Sequence, residues 1–180
     1  WQKQIRIVQV RENRGYGFGI MTGLRETDGD IVGWTHADLQ CDPKNAFIGY
    51  KLLLEQGGRK TLVKGTRLGR APQERFVSRV FETVARLILG LKTGEINAQP
   101  KIFDRELLQS LDNPPLNFAL DVYLLYKAQK QGYLTLSFEV FFPPRIHGVS
   151  NWAASFAGRY KTIWGIIRYM WTLARTEGRA

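Results

Sequence analysis

"DGDIVGWTHADLQCDP", Asp28 to Pro43, is the stretch on which the reading of this chain turns. Ile31 to Trp34 is a short, mostly apolar run with two β-branched residues, which predicts a strand. It leads straight into Thr35, His36, Asp38, Gln40 and Cys41, side chains able to hold ions or phosphates. Asp42 and Pro43 then predict a helix start, with Asp42 as cap and Pro43 at the first helical position. In an open α/β sheet, ligands bind beyond the carboxyl ends of the strands. The stretch therefore reads as a strand whose end opens into a site.

Working outward, strands and helices alternate. Upstream, "IRIVQV" (Ile5 to Val10) alternates and is β-branched, so it predicts a strand. "NRGYGFGI" follows, with Asn13 as a helix cap, and the helix is expected to run to about Glu26. Downstream, "DPKNAFIGYKLLLEQ" predicts a helix with Phe47, Tyr50, Leu53 and Leu54 at helical spacing. "KTLVKGTR" reads as a strand. "QERFVSRVFETVARLILGL" reads as a helix with Phe76, Val77, Val80, Val84, Leu87, Ile88 and Leu91 on one broad face. "EINAQPKIF" is a short strand or hairpin, "FALDVYLLYKAQKQG" a helix closed by Gly132, and "YLTLSFEVFF" the last strand. The order predicts an α/β fold with a mostly parallel sheet flanked by helices.

The 180 residues carry a net charge of +10, with 44% hydrophobic and 12% aromatic residues. That composition suits one folded domain with a sizeable core and excludes a disordered chain. A strong basic excess points to an anionic partner. Nucleic acid is one such partner, but no nucleic-acid-binding motif is present. One cysteine, Cys41, excludes an intrachain disulfide and a cysteine-based zinc site. No apolar run approaches the roughly 18 residues that span a bilayer.

Four groups of residues carry chemistry. Asp38 and Gln40, with His36 in phase, fall on one side of an extended chain and suit Mg²⁺ or Mn²⁺. "GYGFG" (Gly15 to Gly19) is an imperfect dinucleotide fingerprint, with Ile20 where a third glycine belongs. Arg67, Arg70, Arg75, Arg79 and Arg145 suit a phosphate cluster, because guanidinium pairs bidentately with phosphate. The tail "FAGRYKTIWGIIRYMWTLAR" aligns Tyr160, Trp164, Ile167 and Trp171, bordered by Lys161, Arg168 and Arg175, as in a helix lying in a membrane interface. Each also has a plainer structural reading: a turn, a tight packing contact, a solvated basic face, a packed helix.

Taken in order, "NRGYG", "TDGD", "HADLQCDP", "KGTR", "VSRVF" and "RIHGVS" make the chain resemble family 2 glycosyltransferases of the GT-A fold, closest to dolichyl- or polyprenyl-phosphate sugar synthases. The resemblance implies a GT-A (Rossmann-like) domain over residues 1–150, without the family's first nucleotide-binding strand, and a C-terminal amphipathic segment over 151–180. It implies transfer of a hexose from a nucleotide sugar of the GDP-mannose or UDP-glucose type to a polyprenyl or dolichyl phosphate, with inversion. The enzyme would work peripherally at the cytoplasmic face of a membrane, with Mg²⁺ or Mn²⁺ and no nucleic acid.

Carried over residue by residue, Asp38, Gln40 and His36 would hold the metal. Asn13, Gly15, Gly17 and Asp30 would lie near the nucleotide sugar. Arg67, Arg75, Ser78, Arg145 and Ser150 would hold the acceptor phosphate. His36 stands where the family has Asp, Tyr123 where it has Glu, and Glu74 where it has Arg. A phosphate acceptor is already nucleophilic near neutral pH, its second pKa being about 6. A saccharide acceptor would instead need a base, for which Asp121 is the candidate. A non-catalytic sugar-nucleotide binder is the remaining alternative.

Overall fold

The computed structural model describes residues 5–38, 40–143 and 156–180. Its elements run α1 (Tyr16–Arg25), β1 (Ile31–Trp34), α2 (Lys44–Glu55), β2 (Thr61–Leu68), α3 (Pro72–Leu89), β3 (Lys101–Asp104), α4 (Arg105–Gln109), α5 (Leu120–Lys130), β4 (Leu134–Phe141) and α6 (Phe156–Glu177). The four strands form one sheet in the order β1-β3-β2-β4.

β2 and β4 pair in parallel over their whole lengths, Thr61 opposite Leu134 and Leu68 opposite Phe141. β3 lies antiparallel to both β1 and β2. The sheet is therefore mixed. β1, β2 and β4 share one direction, as the alternation of strands and helices predicts, and β3 is inserted against it. A single residue range, "PKIF", is too short to show its direction. The inversion matters for the site, because it brings the start of β3 to the edge where the other three strands end.

Neighbouring residues of each strand go to opposite faces. Leu62 and Phe103 enter a large core with α1, α3, α5 and α6. Val63 and Ile102 enter a smaller one with Leu53 of α2. α5 is buried at Leu120 to Tyr126 and at Ala128, so it is the central helix of the large layer. α2 approaches closely at Gly49, where a Cβ would come within 2.7 Å of Ile102 Cδ1.

Several local expectations need correction. Ile5 to Val10 forms no strand. Ile5 and Ile7 are exposed, and no described strand pairs with the segment. Asn13 does not cap α1. Its Oδ1 accepts a hydrogen bond from Gly15 N at 3.1 Å, and the residue before the helix is Gly15, two positions further on. On α2 only Leu53 of the expected face is buried, while Phe47, Tyr50 and Leu54 face out. On α3 the inward residues are Ala85, Ile88 and Leu89, and Phe76, Val77, Val80 and Leu87 are exposed. Apolar periodicity finds an apolar face but cannot tell which face meets the sheet.

α6 divides its faces. Ile166, Met170 and Leu173 join the large core, and Tyr160, Trp164 and Trp171 remain outside. Through Ile166, Met170 and Leu173, α6 thus packs onto the same core as the sheet layer. Ala180 N donates to Leu89 O at 2.8 Å and Tyr126 OH to Gly178 O at 2.8 Å.

Candidate active site

The inverted strand gathers the polar residues at one edge of the sheet. His36 and Asp38 follow the end of β1, Arg67 lies near the end of β2, Phe142 and Pro143 follow β4, and Gln99 and Lys101 stand at the start of β3. Phe142 links three of these elements. Its ring lies 5.3 Å from the His36 ring, the Arg67 guanidinium sits 5.7 Å over it, and Pro143 O accepts from Gln40 Nε2 at 3.3 Å.

Asp38 is exposed, and its Oδ1 accepts from Gln40 N at 3.2 Å. His36 is partly buried with Nε2 unpartnered. Burial pushes its pKa down, Arg67 and Lys101 add to this, and Asp38 opposes it. A neutral imidazole with a lone pair to offer is a metal-competent ligand. Among the described residues no group of three His, Cys, Asp or Glu side chains converges. Asp38, His36 and Gln40 would offer one carboxylate, one imidazole and one amide. That fits a divalent ion taking most of its oxygens from a diphosphate, which is the usual habit of Mg²⁺ and Mn²⁺.

The arginine cluster differs from the expected one. Arg67 Nε donates to Glu95 Oε2 at 2.8 Å. Arg70 donates to Ser78 Oγ at 2.9 Å and Glu95 Oε1 at 3.4 Å. Arg75 is exposed on the solvent side of α3 and takes no part in these contacts. Arg70 takes its place beside Ser78. Arg145 and Ser150 lie outside the described residues.

The expected nucleotide group separates. Gly15 and Gly17 lie tightly against the 115–117 segment. A Cβ on Gly15, at φ +115°, would come within 2.5 Å of Leu116 O, and one on Gly17 within 2.2 Å of Pro115 O. Asp30 precedes β1 and so lies at the opposite edge of the sheet, where its carbonyl accepts from Arg105 N at 2.8 Å. It lines a separate opening of about 590 Å³ with Arg59 and Arg105.

Asp121 is 2% exposed and forms an ion pair with Lys101, which is fully buried. Lys101 Nζ also donates to Ala98 O at 3.0 Å and lies 5.5 Å from the Trp34 ring centroid. Burial lowers the Lys101 pKa, and Asp121 counteracts it. An aspartate locked to a lysine beneath the site is unsuited to deprotonating a hydroxyl. Beside it, Gln99 Nε2 donates to Tyr16 OH at 2.6 Å, and burial, with Asp121 adding, pushes the Tyr16 pKa well up.

Sequence reasoning missed Lys64, Glu95, Lys101 and Gln99. The available signal was a lysine inside each of two apolar strands, "TLVKG" and "PKIF". Lys64 is 1% exposed, and its pKa falls to about 8, first through burial and then through Lys101. The fold therefore releases this proton before the unfolded chain does. Stability is expected to rise from about pH 8 towards pH 10, by up to about 1.4 kcal/mol per pH unit from this group. Above pH 10 Tyr123, held up at about 12 chiefly by burial, reverses the slope. Urea melts across this range check it, and Lys64→Met should flatten the rise.

The sequence matches the family model for glycosyl transferase family 2 over residues 1–126, and the chain belongs to that family. Its fold is similar to that of glucosyl-3-phosphoglycerate synthase from Mycobacterium tuberculosis, solved in complex with phosphoglyceric acid. The TM-score is 0.66 at 21% identity, over 92% of this chain and 57% of that one. The chain thus spans just over half the length of that protein. Among the described residues, no helix is long and apolar enough to cross a membrane.

Proposed function

We propose that the protein is an inverting glycosyltransferase. It would move a hexose from a nucleotide sugar to a polyprenyl or dolichyl phosphate, peripherally at the cytoplasmic face of a membrane. One observation carries this reading. The Arg67–Arg70–Ser78 cluster adjoins the first half of α3, whose outer face exposes Phe76, Val77 and Val80. Next to α3, α6 exposes Tyr160, Trp164 and Trp171 with Lys161, Arg168 and Arg175 alongside. An arginine cluster bordered by exposed aromatic and aliphatic residues suits a ligand with an anionic head and an apolar tail.

In this reading Arg67 orients the acceptor phosphate, and the phosphate oxygen attacks the anomeric carbon without a protein base. A divalent ion at Asp38, His36 and Gln40 would supply charge neutralisation on the departing diphosphate. Nothing in the chemistry asks more of Asp121 than to hold Lys101. The second reading is a soluble phosphorylated acid as acceptor. It is favoured by the same arginine cluster and by the phosphoglyceric acid held in the similar structure.

The experiment incubates the full chain with labelled UDP- and GDP-sugars, Mg²⁺ or Mn²⁺, and either polyprenyl phosphate in anionic vesicles or 3-phosphoglycerate. Label is expected in the lipid extract and lost in Arg67→Ala. The Trp164→Ala/Trp171→Ala variant is expected to sediment less with the vesicles. Label only in the aqueous acid, with no vesicle binding, would replace the lipid reading by the second one.

A further inference from the structure

We propose that Glu95 is a positioning residue that aims Arg67 at the acceptor anion. The inference rests on the reading of Arg67 as an acceptor-phosphate ligand. Among the described residues, Glu95 is the one carboxylate shared by Arg67 and Arg70, through Oε2 at 2.8 Å and Oε1 at 3.4 Å.

Its backbone is held from two sides. Its backbone N–H donates to Glu82 Oε1 at 2.8 Å, and its carbonyl accepts from Lys64 Nζ at 3.3 Å. Its φ is +47°, a left-handed conformation that a residue with a side chain adopts only when its surroundings hold it there. From there its carboxylate reaches both arginines.

The two arginines are used differently. Arg70 is spent internally, on Ser78, on Glu95, on the Glu74 carboxylate at 3.5 Å and on the Glu74 carbonyl at 3.2 Å. It acts as a strut. Arg67 gives Glu95 only its side-on Nε. Its guanidinium lies over Phe142, whose ring also meets His36. Held by Nε, a guanidinium still has its two terminal nitrogens for a bidentate contact with phosphate oxygens. Glu95 thus fixes the angle of the fork without occupying it.

The probe is inorganic phosphate, with binding measured by calorimetry on the full chain. Glu95→Gln is expected to weaken phosphate binding roughly tenfold, within the range of coupling between contacting residues. In an Arg67→Ala background the same change should have no effect, since Glu95 acts through Arg67. Glu95→Asp, which keeps the charge but withdraws it by one methylene, is expected to fall between.

Equal or tighter phosphate binding in Glu95→Gln would overturn the proposal, making Glu95 a competitor for the arginines rather than their guide. So would an undiminished effect in the Arg67→Ala background. If Glu95→Gln does not fold, wild-type affinity in Glu95→Asp would overturn it. If wild-type and Arg67→Ala bind phosphate alike, the acceptor reading of Arg67 fails first and takes the proposal with it.

Discussion

Asp121→Ala is expected to destabilise the fold by about 3–5 kcal/mol, the usual cost of leaving one member of a buried ion pair alone. Both partners are out of solvent, Lys101 completely and Asp121 at 2%. A typical domain has only about 5–15 kcal/mol to lose. With Asp121 gone, burial is left to act on Lys101 with its chief opposing charge removed. The lysine should then shed its proton in the folded state at a lower pH than in the unfolded chain. The defect should therefore shrink as pH rises, because the unfolded state then binds more protons. Denaturant titrations at neutral and alkaline pH measure both effects. The paired change Lys101→Met/Asp121→Leu should recover most of the loss, since apolar pairs of similar volume replace buried ion pairs at little cost. Unchanged stability with lost transfer in Asp121→Ala would instead return Asp121 to the role of base.

Asp38→Ala is expected to leave stability within about 0.5 kcal/mol, because the side chain is exposed. Sugar transfer should fall at least roughly a hundredfold, as when one preorganised electrostatic contact to a developing charge is removed. Asp38 is the only carboxylate of the His36, Asp38 and Gln40 set. Its loss leaves an imidazole and an amide, too little charge to hold a divalent ion against water. His36→Asp should act the other way, favouring Mg²⁺ over Mn²⁺ by replacing nitrogen with oxygen. Transfer rates across a titration of each metal test both variants. Retained transfer in Asp38→Ala at ordinary metal concentrations would remove the ion from this site.

The α/β class was legible because its signals are local. Apolar runs of strand length, helical periodicity and the glycine at Gly132, with φ of 74°, are set by neighbours in sequence. The placement of His36 and Asp38 beyond a strand end was legible for the same reason. The family likewise followed from short motifs in a fixed order.

The sequence by itself determined the class of fold, the strand end that carries His36 and Asp38, and the basic, aromatic character of the chain. Only the tertiary structure decided the direction of β3, which of α3's faces turns inward, and which residues meet. Arg67 and Glu95 are 28 residues apart, and Lys101 and Asp121 are 20 apart. Contacts at such separations depend on how strands order themselves in the sheet, and no local propensity encodes that order. The same holds for the exposed stripe on α3, since a helix with apolar residues on both sides is assigned its buried face by the neighbours it packs against.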